Sequence, residues 1–435
     1  MVERDCFSSV GCVLTHLTTR PTLDRQPMSM NNIQREPVSE YQSELLQLVS
    51  LCSASRVRQV ANPPSFRRDA PYDWRGIIKM ARGEGLSLSL YKNLKASNGL
   101  LPQEYLEELR QEYFLTLAQN KYYFRELVRC LKAMDVPVIL LKGAALLPAA
   151  YNDLGARPLG DFDILIHRRD LDKVTGRLGD LGYKSHGVYG PHINTVSFIR
   201  DEETVLPLEV HWHIENAMFP NFEMFKIERM WQAAITVKIE GYEGLIFAPH
   251  HQLLHLTVHA LRHHYDRLIL LWDIHQVINH YGGRLNWKEL VQEALEFRLS
   301  RPLFYGLYLT KLLMHTDVPQ HVLDRLRPLS LGLEEKAFVY FINRGIRIPG
   351  LQYLVYFPMN QGVINKIRFL WRAFFPPRDI LAEMEALDGS EIGIVHYLRC
   401  MSWRMQCAWR LIGGGYGFLA KARREGLINR FPIDR

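Results

Sequence analysis

The chain has 435 residues, 47% of them hydrophobic and 23% charged, with a formal net charge of +7. Length and balance suit a globular protein of two or three domains and exclude disorder on a large scale. No run reaches the roughly eighteen consecutive apolar residues of a membrane span. The six cysteines lack Cys-x-x-Cys or disulfide-framework spacing, which points to a reducing cytoplasm rather than a thiolate zinc site.

Residues 1–39 carry no sustained period and no basic segment followed by a long apolar core. They read as a flexible tail without a signal peptide. Apolar residues recur at helical spacing from Glu40 to Ser55 and from Asp73 to Lys95, and Gln103 to Met134, opened by Pro102, predicts one long helix. Residues 40–135 form a helical N-terminal region on this reading.

The period then changes. Val136-Pro137-Val138-Ile139-Leu140-Leu141 predicts a short apolar strand running into Lys142-Gly143 and a helix start. Outward backbone N–H groups and a glycine make such a turn a candidate phosphate cradle. In the following loop, Leu154 to Gly160, Arg157 carries the planar fork of donors that suits a phosphate. Gly160-Asp161-Phe162-Asp163-Ile164-Leu165-Ile166 predicts a strand with both carboxylates on one face and Phe162, Ile164 and Ile166 on the other. Like charges that close need compensation, and a hard divalent cation is the usual source.

A helix follows from about Asp170 to Leu181, ended by Gly182. Thr195 to Ile199 and Val205 to His213 flank the polar turn 200–204 and read as a hairpin, with Glu209 and His211 on one face. If this second strand pairs beside the aspartates, Glu209 is a third carboxylate. Residues 136–216 are thus expected to form a small mixed sheet that carries these carboxylates.

After Pro220 the helical period returns, through Leu245 to His264, Leu268 to His280 and Trp287 to Phe297, so residues 217–435 are expected to be helical. Histidines 251, 255, 259 and 263 fall four apart and form one row on a helix. A structural row, a cleft-lining role and a zinc site all fit that spacing, although the row lacks the His-Glu-x-x-His signature. From Val363 to Arg435 there are 12 Lys/Arg against 7 Asp/Glu, interleaved with Trp371, Phe374, Phe375, Trp403, Trp409 and Phe418. Aromatic residues at helical spacing predict a core with arginine on its rim. Contact with an anionic membrane surface or with nucleic acid is the alternative.

In Leu141-Lys142-Gly143, in Ala156-Arg157-Pro158-Leu159-Gly160-Asp161-Phe162-Asp163-Ile164-Leu165-Ile166 and in Leu208-Glu209-Val210-His211-Trp212, the chain resembles the nucleotidyltransferases of the DNA polymerase β superfamily. Within that superfamily it is similar to the group catalogued as uncharacterised nucleotidyltransferases. The likeness extends over roughly residues 40–415, taking in Leu101-Pro102-Gln103-Glu104, the segment near His255 and His259, and Phe375-Pro376-Pro377. It implies an α+β fold, a small polymerase-β-like sheet flanked by helical regions and mainly helical overall. It also implies Mg²⁺ or Mn²⁺ held by Asp161, Asp163 and Glu209 as the catalytic set, with a nucleoside triphosphate on Lys142, Gly143 and Arg157. His259 is a further nucleotide contact by the same resemblance.

The expected reaction transfers a nucleoside monophosphate to an acceptor hydroxyl and releases pyrophosphate, with nucleic acid not the expected acceptor. AMP transfer to a protein or antibiotic, and a non-catalytic binding module on the same fold, are the alternatives. One departure stands out: the superfamily turn carries Gly-Ser or Gly-Gly, whereas this chain has Gly143-Ala144. A side-chain hydroxyl for the triphosphate is therefore missing there.

Overall fold

A computed structural model describes residue 52 and residues 72–424, apart from 96–100, 188–189, 202–204, 216–224, 329–332, 344–349, 386 and 388. The predicted tail and, except for Cys52, the predicted helix at 40–55 lie outside the described residues. Asp73 caps α1 (Trp74–Glu84) by accepting from the Gly76 N–H at 3.0 Å, and Gly85 ends it at φ 75°. The expected helical stretch at 73–95 is thus two helices, with α2 (Ser87–Leu94) after the glycine. The long helix α3 (Gln103–Met134) has the predicted bounds.

The fold is α+β, around a seven-stranded mixed sheet in the order β3-β4-β5-β2-β1-β7-β6. Its strands are β1 (Ile139–Leu140), β2 (Phe162–Leu165), β3 (Lys184–His186), β4 (Thr195–Ile199), β5 (Leu208–His211), β6 (Ile235–Ile239) and β7 (Tyr242–Ile246). β2 runs parallel to β5 and β1 parallel to β7, while the other pairs are antiparallel. The β4–β5 pairing is the hairpin expected across 195–213. Phe162 and Ile164 are buried on one face of β2, where Phe124 of α3 meets Phe162 edge-on at 5.4 Å between ring centroids. Each such side chain contributes about 1.5–3 kcal/mol by leaving water, so α3 is firmly seated on the sheet.

β6 and β7 lie in a stretch for which helix was expected. Glu240 and Gly241 both have positive φ (45° and 78°) and join strands whose last pair is Ile239 with Tyr242, which is a two-residue hairpin of type I′. A short apolar run reads as helix or strand alike, and the turn chemistry was the deciding signal. The helix expected from Leu245 begins instead at Pro249, since Leu245 pairs within the sheet.

Beyond α5 (Leu171–Asp180) and α6 (Ile227–Gln232), three helices pack together: α7 (Pro249–Arg262), α8 (Leu268–Tyr281) and α10 (Ser300–Met314). A Cβ at Gly306 of α10 would sit 2.4 Å from Thr257 Cγ2 of α7, so glycine permits their close approach. Between them in sequence lies α9 (Trp287–Glu296). Farther along are α13 (Tyr353–Met359), α14 (Val363–Phe374), α15 (Arg378–Glu385) and α16 (Ile394–Arg424), after α11 (Gln320–Leu326) and α12 (Leu333–Asn343). The aromatic spacing there predicts a core, yet Trp371 and Trp409 are 63% and 69% exposed.

Candidate active site

Parallel pairing of β2 and β5 sets Asp163 directly beside Glu209, and Asp161 immediately precedes β2. The three predicted carboxylates therefore gather at the central strands of the sheet. Glu209 is held from the next strand, where the Ser197 hydroxyl donates to Oε1 and the Thr195 hydroxyl to Oε2 at 3.4 Å. Asp163 is buried and accepts from Lys142 Nζ at 2.5 Å, with His211 Nε2 at 3.0 Å from the same oxygen.

These contacts split the two aspartates electrostatically. Burial alone would raise Asp163, but the Lys142 ammonium and the His211 hydrogen bond hold it far below the usual carboxylate range. Burial and then the charge of Asp163 push Asp161 up to about 7, with Glu209 adding to the rise and Lys142 and Arg157 opposing it. A carboxyl held up by adjacent carboxylates is relieved by a hard cation bound among them. The donor set therefore suits Mg²⁺ or Mn²⁺, which take oxygen ligands.

Lys142 leaves β1 at φ 45°, a left-handed conformation that costs a side chain on the order of 1–2 kcal/mol. The Leu141 N–H donates to Asp163 O at 2.9 Å, so the turn is tied to the aspartate strand. A Cβ on Gly143 would lie 2.5 Å from Leu159 Cδ2 and 2.9 Å from Arg157 Nη1. A side chain there would have to displace the ends of Leu159 and Arg157. Its helix, α4 (Lys142–Leu146), is five residues long and passes into a π turn at Leu147–Tyr151.

Arg157 is engaged more tightly than the sequence suggested. Its Nε and Nη2 each lie 3.1 Å from the Asp273 carboxylate of α8, which also accepts from Tyr151 Oη at 2.6 Å. Nη1 donates to Pro158 O and is the nitrogen that faces the Gly143 turn. From the other side, Asn120 of α3 donates to Leu154 O and Arg157 O at 2.6 and 2.9 Å. Both helical regions thus clamp the loop that leads into Asp161.

The histidine row divides. His255, His259 and His263 run along α7 and past its end, with ring centroids 6.3 and 4.5 Å apart. Burial, and then the Lys142 charge, lowers His255 to about 3 and His259 well below the ordinary histidine value. Both are neutral imidazoles within electrostatic reach of the carboxylate site. His259 Nδ1 is 3.3 Å from Arg262 Nη2, and Arg262 Nη1 is 3.7 Å from Glu215. His251 instead bonds Glu293 of α9 through Nε2 at 2.7 Å, with His250 Nε2 at 3.6 Å from the same carboxylate. Ligand atoms of these three residues lie within 4.8 Å of one another, a His/Glu group separate from the three carboxylates.

Sequence reasoning did not select His211, Ser197, Asp273, Arg262 or Glu383 as site residues. Strand alternation marks the first two, since each shares a face with Glu209 or pairs with it. Asp273 and Glu383 come from distant helices and carry no local signal. Burial pushes Glu383 of α15 up to about 7, opposed by Arg262 and aided by Glu209, so α15 lies within electrostatic reach of the carboxylate face.

Residues 70–315, more than half of the chain, match the model of a family described as uncharacterised nucleotidyltransferase. No curated protein matches the sequence. Among solved structures, the chain is similar to an antigenic nucleotidyltransferase-like protein from Paracoccidioides brasiliensis at 16% identity and a TM-score of 0.30. That likeness covers 48% of this chain and 98% of the other, and is too slight to argue from.

Proposed function

We propose, from the premise that this chain belongs to the family of uncharacterised nucleotidyltransferases, that it transfers a nucleoside monophosphate from a nucleoside triphosphate to an acceptor hydroxyl. The observation that carries this reading is the register of Asp163 with Glu209, which gathers three carboxylates beside the Lys142-Gly143 turn. Asp161, Asp163 and Glu209 would hold Mg²⁺ or Mn²⁺, which supplies Lewis-acid neutralisation of the attacking and leaving oxygens.

The chain's own residues do the rest. The triphosphate lies beside the Lys142-Gly143 turn, which Nη1 of Arg157 faces. Lys142 exchanges its Asp163 contact for a phosphate oxygen, keeping the charge of the site balanced. His255 and His259 stay neutral and border the nucleotide without adding cationic charge. The acceptor oxygen attacks the α-phosphorus in line as the bond to the bridging oxygen of pyrophosphate breaks. Glu209, oriented by Ser197 and Thr195, accepts the acceptor's proton. Positioning and electrostatics account for most of the acceleration.

A thermal-shift panel of the four nucleoside triphosphates with Mg²⁺ or Mn²⁺ identifies the nucleotide, since binding to the native state raises its stability. Pyrophosphate release with that nucleotide then tests turnover. Undiminished release in both Asp161→Asn and Asp163→Asn would sink the proposal.

A further inference from the structure

We propose that α14 and α16 dock this protein on the surface of an anionic lipid bilayer. Both helices lie beyond residue 315, where the family match ends, and none of their residues belongs to the carboxylate site. They pack against each other and leave apolar stripes uncovered. On α14, Val363, Ile367 and Trp371 are 73%, 61% and 63% exposed; on α16, Ile394, Leu398 and Trp409 are 77%, 53% and 69% exposed. Spacings of four, and of four and eleven, put each set on one helical face.

Charge decides what covers those faces. α14 carries three Lys/Arg and α16 carries six, and neither has an Asp or Glu. Lys366 and Arg368 lie roughly 100° to either side of the α14 stripe, at the border of its apolar face. An apolar stripe with tryptophan, bordered by cations, is the pattern of a helix lying in the headgroup region of an anionic membrane. A second copy would set like charge against like: Arg399 pairs with Glu385 of α15 and Arg404 with Tyr353, and the other cations have no acidic partner on the same helices. Nucleic acid would meet apolar side chains where its phosphates need cations. No helix among the described residues is long and apolar enough to cross a bilayer, so the contact is peripheral.

The test is flotation of the full chain with vesicles of phosphatidylcholine alone or with about 30% phosphatidylserine. The chain floats with the anionic vesicles and at least about tenfold less with neutral ones. Trp371→Ala with Trp409→Ala, and separately Lys366→Glu with Arg368→Glu, each lower that binding at least about tenfold while the thermal midpoint is kept. Brominated lipid quenches tryptophan fluorescence in the parent and not in the double-tryptophan variant. The proposal fails if neutral and anionic vesicles bind alike, or if the tryptophan variant still floats. It fails equally if the stripe forms a dimer that Trp371→Ala dissociates, or if vesicles bind only after residues 1–39 are removed, since another occupant then covers the face.

Discussion

Lys142 Nζ stands 2.5 Å from Asp163 Oδ1, and the two side chains are 15% and 3% exposed. The ammonium is an internal counter-charge for one aspartate, while Asp161, beside it, is pushed up to about 7. Two residues that read as an equivalent pair in the sequence are therefore opposite in their energetics.

Asparagine substitutions expose that difference. Asp161→Asn removes a carboxylate crowded by Asp163 and Glu209, and is expected to raise stability at neutral pH by on the order of 1–3 kcal/mol, and the thermal midpoint with it. Asp163→Asn leaves Lys142 without its partner and lowers stability by a similar amount. Both abolish Mg²⁺-dependent pyrophosphate release. Calorimetry beside the activity assay checks the signs, and equal shifts in both variants would refute the counter-charge assignment.

Removing the lysine separates its two proposed roles. Lys142→Met frees Asp163 for a divalent ion, so Mn²⁺ alone binds several-fold tighter, whereas the triphosphate binds about tenfold or more weakly. Titration calorimetry with Mn²⁺ and then with nucleotide distinguishes the two. Weaker Mn²⁺ binding in the variant would show that Lys142 does not compete for the site.

Arg157 and Asp273 form a buried pair, 16% and 3% exposed at their side chains. Truncating either one strands the other charge, and Arg157→Ala or Asp273→Ala is expected to cost about 3–5 kcal/mol. The double variant Arg157→Met with Asp273→Leu costs markedly less than the sum. Denaturant unfolding of the full cycle measures the coupling, and strict additivity would overturn it.

Acid should weaken the fold through its buried histidines, a loss that Asp161 and Glu383, held up to about 7, offset in part by taking up protons over the same range. Burial lowers His213 and His264 from an ordinary 6.5 to about 4. Between those values the unfolded chain binds more protons at these histidines than the folded one. The stability they contribute is complete above 6.5 and is lost as the pH falls through 6.5 toward 4. The thermal midpoint is expected to drop by several degrees from pH 7 to pH 5, and His264→Gln to flatten the slope. A midpoint constant over that interval would contradict it.

Much of the site was legible because its signals are local. Asp161 and Asp163 lie one residue apart, Glu209 and His211 alternate on one strand, and glycine follows lysine at the end of an apolar run. α3 and the β4–β5 hairpin were legible for the same reason, as periods and turns written within a few residues. The β6–β7 hairpin was missed because its Glu240-Gly241 turn is the discriminating feature, while Ile235 to Ile239 alone fits either period.

The sequence by itself determined which residues share a face, since side-chain direction follows from backbone geometry over neighbouring positions. Tertiary structure alone decided that Asp163 faces Glu209 across parallel strands, that Arg157 closes on Asp273, that His251 leaves its row for Glu293, and that Trp371 and Trp409 stay exposed. These partners lie tens to more than a hundred residues apart. Their pairing is set by the packing of whole helices and strands, a sum over many weak contacts that no local spacing records.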